Sequence, residues 1–342
     1  MKTQLGLEPS SFFVHFPKAG DWPNLNIEGS GFSVESGFLS LAVGLAMKSA
    51  SVPPNGNVWS SAREATGGGF GSVGGLDVKI EYAISLNAKM FFVPQLQLTQ
   101  AQEIANGRLK ILEAEFTTDL RTSLGLILAH SRVPPPRNAP FEARYIHYKN
   151  LLDDNENVAK DYYRNSLITD IVRDCQKMVG KTQVSRMPKT LVCIASHNPE
   201  VISISVDVFE IDKCLILYTA GMENFASNAV SLIEKHDNCS VIEPCKFVVP
   251  DFSHGKEVFQ TELRELNSLV TSWLKENDES TATFDVTSGT TFMKAMMIKI
   301  AEARDDWLII LKHEMEKTAK DRNTVKHGTE QYIAWQGQTP WL

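Results

Sequence analysis

Residues 35–50 read ESGFLSLAVGLAMKSA and residues 59–94 read WSSAREATGGGFGSVGGLDVKIEYAISLNAKMFFVP, and these two stretches decide the fold of the first half of the chain. Ser36 opens an apolar run with small residues, which predicts a helix of about three turns. After a glycine-rich segment, a second helical pattern places Lys79 one turn from its start and ends near Asn87. The segment KMFFVP that follows is typical of a buried strand.

A serine and a lysine at the starts of two helices can form a two-residue catalytic unit. The lysine amine must be neutral to accept the serine proton, and an apolar pocket can lower a lysine pKa from about 10.4 towards about 7–8. The backbone N–H groups of the helix that begins after Ser36 can hold an oxyanion. The alternative is purely structural, because serines commonly cap helices and lysines are common on protein surfaces.

The order of these elements resembles the proteolytic domain of Lon proteases. In that family the serine begins a helix of small residues, and a GGLKEK-like segment supplies the lysine 43 positions later. In this chain Ser36 lies 43 positions before Lys79. Residues 74–79 read GGLDVK, and the later NAKMFFVP resembles the family's GIKTVLIP. Ser61 lies where the family has a threonine close to the lysine, and VESGF at residues 34–38 stands in place of the family's GPSAG.

The resemblance implies a Lon-like α+β domain with serine endopeptidase activity. It implies that Ser36 is the nucleophile, that Lys79 is the general base and that Ser61 orients the lysine. An ATP-driven module is not expected, because VGKT at residues 179–182 lacks the glycine that opens a phosphate-binding loop and follows no strand.

Composition and charge limit the function classes. The 342 residues suggest about two domains, and the net charge of −7 argues against non-specific binding of duplex nucleic acid. The five cysteines are odd in number and form no CxxC pair, so we expect buried small side chains in a reducing compartment, not metal ligands. The N-terminus has no apolar signal core, and apolar runs of about ten residues are too short to span a bilayer. We therefore expect a cytoplasmic protein that binds neither membrane nor DNA directly.

Four prolines between residues 132 and 140 mark the clearest domain boundary. Within the first domain, residues 12–16 predict a short strand and residues 116–130 predict one apolar helix. The expected domains are a Lon-like protease domain at 1–131, a linker with one or two connecting helices at 132–188, and a Rossmann-like domain at 189–342.

From residue 190 onwards strands alternate with helices, including a long helix predicted at residues 255–276 and separate strands at 240–242 and 247–249. This alternation favours an α/β fold with a mainly parallel sheet and helices on both faces. Such sheets bind ligands at the carboxyl ends of their strands, where two loops here carry polar side chains. The alternative is that these are ordinary turn and cap residues. The candidate ligand-binding residues are Ser196, His197 and Asn198 in the first loop and Thr287, Ser288, Gly289, Thr290, Thr291 and Lys294 in and after the second.

The second loop, DVTSGTT at residues 285–291, resembles the DxTxGTK-type motif of CARF domains, the Rossmann-like ligand sensors of CRISPR systems. ASHNPE at residues 195–200 resembles the first ligand loop of that family, and Thr291 stands where the family has a basic residue. In CARF proteins two chains pair, and a cyclic oligoadenylate lies across the groove between them. The resemblance implies a homodimer that binds such a ring, with cyclic tetra-adenylate as the first expectation.

Taken together, the two halves resemble the CRISPR-associated CARF–Lon proteases. The resemblance implies an ATP-independent serine protease without a cofactor, activated by a cyclic oligoadenylate in type III CRISPR antiviral defence. Its substrate would be a specific protein, such as a toxin–antitoxin component. Two alternatives remain open. One is a non-catalytic sensor of cyclic nucleotides whose Lon-like half is a binding or dimerisation module, and the other is a nucleotide-regulated nuclease.

Overall fold

The chain divides into two compact units. The first consists of Met1–Tyr163 with Thr318–Arg322, and the second consists of Arg164–Lys317 with Asn323–Leu342. The strand predicted at residues 12–16 lies outside the described residues. The computed structural model describes residues 34–49, 55–66, 68–117, 119–180, 184–234, 239–247 and 255–337.

The first unit is built around short parallel strands with helices packed against them. Strands β1, β4 and β5 form a parallel sheet in the order β1-β4-β5, while β2 and β3 form a separate antiparallel pair. In chain order its elements are a 3-10 helix (Val34–Gly37), α1 (Phe38–Ser49), β1 (Val58–Ser60), β2 (Arg63–Glu64), β3 (Phe70–Gly71), α2 (Leu76–Ser85), β4 (Met90–Pro94), a second 3-10 helix (Gln95–Gln97), α3 (Leu98–Ala105), β5 (Lys110–Ala114), α4 (Leu120–Ser123) and α5 (Gly125–Ser131).

Two neighbouring phenylalanines in β4 explain why helices cover both faces of this sheet. Successive strand residues point to opposite faces, and Phe91 and Phe92 are both almost completely buried. Phe92 packs in a cluster with Leu39 of α1 and Ile127 of α5. Phe91 packs in a second cluster with Ile80 of α2 and with residues of α3. The helix after Ser36 and the helix that carries Lys79 therefore lie on opposite faces of the sheet.

The single helix predicted at residues 116–130 was wrong, because the structure has two short helices there. The Asp119 side chain accepts a hydrogen bond from the backbone N–H of Thr122 at 2.9 Å, which begins α4 at Leu120. The second helix, α5, begins at Gly125, whose missing Cβ makes room for the backbone carbonyl of Asp154. The cap at Asp119 and the close approach at Gly125 divide a segment that the apolar pattern alone predicts as one helix.

Among the described residues between the proline-rich segment and β6, the structure has three helices where one or two were predicted. They are α6 (Phe141–Asp154), α7 (Glu156–Ser166) and α8 (Ile168–Val179). Asn155 separates the first two, because its backbone is extended and its side chain accepts hydrogen bonds from the N–H groups of Asn157 and Val158. Asparagine is one of the best residues at the start of a helix, so this break has a clear local cause.

The second unit is α/β, as predicted, with a six-stranded sheet in the order β13-β10-β9-β6-β7-β8. All neighbouring strands are parallel except β10 and β13, which are antiparallel. The sheet lies between helices, and β6 at its centre is buried along its whole length. The elements are β6 (Thr190–Ile194), α9 (Glu200–Phe209), β7 (Lys213–Tyr218), α10 (Glu223–Ile233), β8 (Val241–Lys246), α11 (Gly255–Glu276), β9 (Thr283–Asp285), α12 (Thr291–Arg304), β10 (Trp307–Lys312), β11 (Met315–Lys317), β12 (Asn323–Val325) and β13 (Gln331–Gln336).

The strand predicted at residues 240–242 is longer in the structure, and most of the strand predicted at 247–249 lies outside the described residues. Strand β8 pairs continuously with β7 from Val241 to Lys246, passing through Pro244, which a strand at the edge of a sheet tolerates. Residues 248 and 249 lie outside the described ranges. Where the structure describes the chain, its helices are too short or too polar to cross a membrane.

Candidate functional site

Ser36 lies in the 3-10 helix that precedes α1 and is half-buried. Its backbone carbonyl accepts a hydrogen bond from the hydroxyl of Ser61 at 3.1 Å. The N–H of Ser61 in turn donates to the carbonyl of Phe92 in β4 at 3.0 Å. The N–H of Leu39 donates to the carbonyl of Ala62 at 3.3 Å. The structure thus brings Ser36 and Ser61 together and ties both to the central strand.

Lys79 lies in the first turn of α2, as the sequence predicts. Gly75, with φ of 59°, starts the helix in a left-handed conformation that glycine adopts without strain. The Nζ of Lys79 donates to the backbone carbonyl of Gly74 at 2.7 Å. Burial lowers the pKa of the Lys79 amine below its usual range, which is the direction expected for a base. Among the described side chains, no hydrogen bond joins this amine to Ser36 or Ser61.

An apolar cavity lies beside the 3-10 helix of Ser36. Its volume is about 290 Å³. Strand β2 borders the cavity through Glu64 and packs against the 3-10 helix. The rings of Phe70 and Phe116 meet edge to face, with centroids 5.6 Å apart. The residues that line the cavity are Phe38, Glu64, Gly68, Gly69, Phe116, Asp119 and Leu120.

In the second unit, both predicted loops follow strands that are neighbours in the sheet. The chain leaves β6 towards β7 and β8 on one side, whereas β9 is followed by β10 on the other side. The carboxyl ends of β6 and β9 therefore form the switch point at which open α/β sheets bind ligands. The hydroxyl of Ser288 donates to the hydroxyl of Ser196 at 3.1 Å, so the two loops are in direct contact.

The loop after β9 is held in shape by its own hydrogen bonds. The N–H of Thr287 donates to the carboxylate of Asp285 at 2.8 Å, and the Thr287 hydroxyl accepts from the N–H of Leu311 at 2.7 Å. Gly289 has φ of 93°, and a Cβ there would lie 3.2 Å from the Ile194 side chain. The Thr287 hydroxyl therefore supports the loop, whichever ligand the loop binds.

Helix α12 begins directly after this loop. Thr290 caps the helix, accepting a hydrogen bond from the N–H of Met293 at 3.3 Å. Thr290 and Thr291 are exposed, and Lys294 is half-buried one turn further on. The free N–H groups at a helix start favour anions, so this end of the sheet suits a phosphate group.

The loop after β6 is polar and exposed at its tip. The N–H of Asn198 donates to the Ser196 hydroxyl at 3.3 Å. The ring of His197 meets Phe225 of α10 edge to face at 4.6 Å. Glu200, the first residue of α9, is buried and forms an ion pair with Arg164 at 2.6 Å. Exposed His197 and Asn198 side chains thus border the point where the two loops touch.

Two buried residues support this site: Asp285, which opens the second predicted loop, and Ser205, which was not predicted from the sequence. Asp285 is buried, and burial raises the pKa of its carboxyl group. The Ser205 hydroxyl donates to this carboxyl at 2.5 Å and lies 2.7 Å from the hydroxyl of Tyr332. Ser205 is completely buried, but helix α9 also carries Glu200, Ser203 and Asp207, so the sequence has no signal that distinguishes Ser205.

Metal ligation has no support in the described part of the chain. It contains no cluster of three His, Cys, Asp or Glu side chains that could hold a metal ion. All five cysteines are free thiols, and those of Cys193 and Cys214 lie 3.9 Å apart in the core. Burial raises the pKa of Cys175 to about 12, which keeps that thiol protonated and inert.

Comparisons with known proteins add little. No protein-family model and no curated protein matches the sequence. Among solved structures, Csm6 of Enterococcus italicus, bound to cyclic hexa-2'-fluoro-hexa-dAMP, is 15% identical with a TM-score of 0.31, covering 37% of this chain and 34% of that one. Can2 of Sulfobacillus thermosulfidooxidans, in complex with cyclic tetra-adenylate, is 14% identical with a TM-score of 0.28, covering 40% and 36%.

A third solved structure has unrelated chemistry. An O-methyltransferase family protein from Burkholderia thailandensis is 10% identical with a TM-score of 0.26, covering 49% of this chain and 45% of that one. This chain spans about a third of the length of the Csm6 and Can2 chains. At these TM-scores none of the three similarities carries an argument about fold or ligand.

Proposed function

We propose that this protein is a serine protease with a Ser36–Lys79 dyad, activated by a cyclic oligoadenylate in type III CRISPR defence. One observation carries the catalytic half of the proposal. The Lys79 amine is half-buried with a lowered pKa, and in the described ranges no carboxylate forms an ion pair with it. Burial without a counter-charge disfavours the protonated amine, which is the direction of pKa shift that a general base for serine requires.

In the proposed reaction, the neutral Nζ of Lys79 accepts the proton of the Ser36 hydroxyl while Oγ attacks the carbonyl carbon of a peptide bond. Backbone N–H groups at the start of the helix after Ser36 donate to the oxyanion. The lysine proton then passes to the leaving amine, and an acyl-enzyme remains. Lys79 next deprotonates a water molecule, which releases the new carboxyl group and restores Ser36. Ser61 keeps the serine turn in place through its bond to the Ser36 carbonyl.

The apolar cavity beside the serine turn supports a protein substrate. A volume of about 290 Å³ is enough for one large side chain, and its lining is mostly aromatic, aliphatic and glycine. Pockets of this kind fix the register of a peptide by burying a single side chain. The substrate we propose is one specific protein, such as a toxin–antitoxin component.

The sensing half of the proposal is supported by the contact between Ser196 and Ser288. Two loops that meet at the switch point of a parallel sheet, next to a helix start, form a place for a phosphate-containing ring. A cyclic oligoadenylate presents several phosphates on one ring, and a homodimer would supply the loops twice. We propose cyclic tetra-adenylate as the first ring to test, bound by a pair of chains.

Activation by such a ligand requires a population shift. The ring must bind the arrangement in which the Ser36 hydroxyl lies within reach of the Lys79 amine more tightly than it binds the arrangement in which the two groups are apart. A tenfold rise in activity needs a difference in binding free energy of about 1.4 kcal/mol between the two arrangements. The ligand therefore biases whether the lone pair of the neutral Lys79 amine meets the Ser36 hydroxyl, while the Gly74 carbonyl accepts a hydrogen bond from the same amine.

The decisive experiment uses a fluorophosphonate probe, since no substrate is needed. Ser36 Oγ forms a bond to phosphorus, the phosphorus–fluorine bond breaks, fluoride leaves and the hydroxyl proton goes to Lys79. We expect mass spectrometry to find the label on Ser36, to find more of it with cyclic tetra-adenylate, and to find none in Ser36→Ala or Lys79→Ala. The matched controls are Ser40→Ala, one helical turn further on, and Lys89→Ala, whose side chain is exposed.

The same four variants can then be incubated with cyclic tetra- or hexa-adenylate and with proteins encoded in the same operon. Cleavage that persists in both Ser36→Ala and Lys79→Ala would refute the dyad. Cleavage that is lost in these two variants and kept in the two controls would support it.

One observation favours a second function. The hydrogen bond of Lys79 goes to Gly74 and not to Ser36, as it would in a non-catalytic sensor whose first unit serves only for binding or dimerisation. That protein would bind the ring with the same two loops but would leave Ser36 unlabelled at every ligand concentration. The probe experiment therefore separates the two functions.

A further inference from the structure

The side chain of Gln97 holds the backbone of Val73, just before the helix of Lys79, through two hydrogen bonds, which we call the Gln97 clamp. Gln97 is the last residue of the 3-10 helix Gln95–Gln97, and only 7% of its surface is exposed. Its side-chain amide donates to the carbonyl of Val73 at 2.9 Å, and its side-chain oxygen accepts from the N–H of Val73 at 2.8 Å. One side chain therefore satisfies both backbone groups of a buried residue 24 positions away.

This clamp is next to the group that holds the lysine amine. Val73 is followed by Gly74, whose carbonyl accepts from Lys79 Nζ at 2.7 Å, and then by Gly75, which starts α2. Both glycines are exposed, and a Cβ at either would meet nothing within 4 Å. No side-chain packing can fix a pair of exposed glycines, so their direction is set by their anchors. Those anchors are α2 on one side and the Gln97 clamp on the other.

We propose that Gln97 is a positioning residue for Lys79, holding the Gly74 carbonyl where it keeps the amine in its half-buried place; the catalytic consequence rests on the proposed function. When a neutral amine donates to one fixed acceptor, its orientation is set, and its lone pair can point towards the hydroxyl whose proton it accepts. The Gly74 carbonyl is that acceptor in the structure. Gln97 fixes the acceptor through backbone hydrogen bonds, without touching the amine itself.

The consequence of releasing the clamp is a change in the acid–base behaviour of Lys79. Burial is the cause of the lowered pKa of Lys79. If the turn at Gly74 loosens and the amine becomes exposed to water, its pKa therefore rises again. The charged groups around α2 are Asp77 and Glu81 on the helix itself, Arg108 paired with Glu81, and Glu103 on α3. The packed strands β1 and β4 carry no charged side chains. A substitution at position 97 leaves all of these charges in place.

The test is Gln97→Met, which keeps the length of the side chain and removes both hydrogen bonds. The matched control is Gln95→Met, because Gln95 lies in the same 3-10 helix and is exposed. The first readout is the pH dependence of acetylation of Lys79 by acetic anhydride, followed by mass spectrometry. We expect the midpoint to rise by about one pH unit in Gln97→Met and to stay unchanged in Gln95→Met.

The second readout is the pH profile of fluorophosphonate labelling at Ser36. We expect labelling by Gln97→Met near pH 7 to fall about tenfold and to approach the wild-type rate in alkaline buffer, where the amine is neutral again. A purely structural role would lower the rate at every pH and leave both midpoints unmoved, which would overturn the inference. If Gln97→Met does not fold, Gln97→Asn keeps the amide on a shorter side chain and should give a smaller shift in the same direction.

The two readouts separate the two proposals. If Ser36 is never labelled and the Lys79 midpoint still rises in Gln97→Met, the protease is refuted and the positioning role of Gln97 stands. If Ser36 is labelled and neither midpoint moves, the protease stands and the role of Gln97 is refuted.

Discussion

Ser196 and Ser288 touch through their hydroxyls in the second unit, whereas in the first unit Lys79 donates to its own loop at Gly74 and Ser36 is held through Ser61. The cause is the position of the strands. β6 and β9 are parallel neighbours in one sheet, so the loops after them must meet. The helix after Ser36 and the helix of Lys79 instead cover opposite faces of a sheet.

The two loops of the second unit are already in contact, whereas the Ser36–Lys79 pair of the first unit still has to be brought together. A site at the carboxyl edge of a sheet is fixed by strand register, so we expect its loops to be in contact before the ligand binds. A site built from two helix starts depends on turns that carry glycines, and its groups can shift by a rotamer or a hinge. This division suits a protein whose second unit senses a ligand and whose first unit responds.

The largest effect is expected for Gly289→Ala. The backbone at Gly289 has φ of 93°, which residues with a Cβ rarely adopt, and the added Cβ would lie 3.2 Å from the Ile194 side chain, so the loop or that side chain must shift. We expect calorimetry to find the affinity for cyclic tetra-adenylate reduced about 10- to 100-fold. Gly107→Ala in the first unit, where φ is 73° and nothing lies within 4 Å, is the control with similar strain and should bind normally. Equal affinity in both variants would remove this loop from the ligand site.

A smaller loss is expected for Thr287→Val. This substitution keeps the shape of the side chain and leaves the N–H of Leu311 without its acceptor, at a cost of about 1–3 kcal/mol in the free energy of unfolding. We expect the affinity for the ring to fall about tenfold because the loop loses its support on β10. Chemical denaturation and calorimetry measure the two effects. A destabilised protein with unchanged affinity would show that the loop shape is irrelevant to binding.

Ser61→Ala tests the support of the Ser36 turn in the first unit. It removes the hydrogen bond to the Ser36 carbonyl, which should cost about 1 kcal/mol in the free energy of unfolding and slow the labelling of Ser36 about fivefold. Ring binding in the second unit should not change. Ser60→Ala, at the neighbouring position, is the control for labelling. A normal labelling rate in Ser61→Ala would mean that the serine turn needs no such support.

The smallest effect is expected for the contact between Ser196 and Ser288. A double-mutant cycle with Ser196→Ala, Ser288→Ala and the double variant should give a coupling energy of about 0.5–1 kcal/mol in ring affinity. Such a value would place the two loops at one ligand. Strictly additive losses of ring affinity would mean that the two loops act independently. That result would contradict the claim that the site in the second unit is formed before the ligand binds.

Local sequence patterns predicted much of this fold. The long helix was predicted with the bounds that the structure has, Gly255–Glu276, and the strand β4 was predicted to within a residue. These elements have strong periodicity or continuous apolar runs, which are properties of neighbouring residues. The single helix predicted at 116–130 was wrong because a cap at Asp119 begins the first helix and the approach of the Asp154 carbonyl to Gly125 accompanies the start of the second.

Contacts between distant residues were beyond such patterns. Ser205 is 80 positions from Asp285 and 127 from Tyr332, and Gln97 is 24 from Val73. A polar side chain that supports a site through a backbone group has no local signature, because its partner is chosen by the fold. The candidate residues themselves were named from the sequence, but the residues that hold them in place required the structure.

The most direct test of the account is the rate of fluorophosphonate labelling at Ser36 as a function of pH, in wild type and in Lys79→Ala. Because burial lowers the pKa of Lys79 from 10.5, the neutral and active amine should accumulate as pH rises, with a midpoint below 10.5. The account predicts that this rise is present in the wild type and absent in Lys79→Ala. Identical profiles in the two proteins, or no label on Ser36 in either, would contradict it.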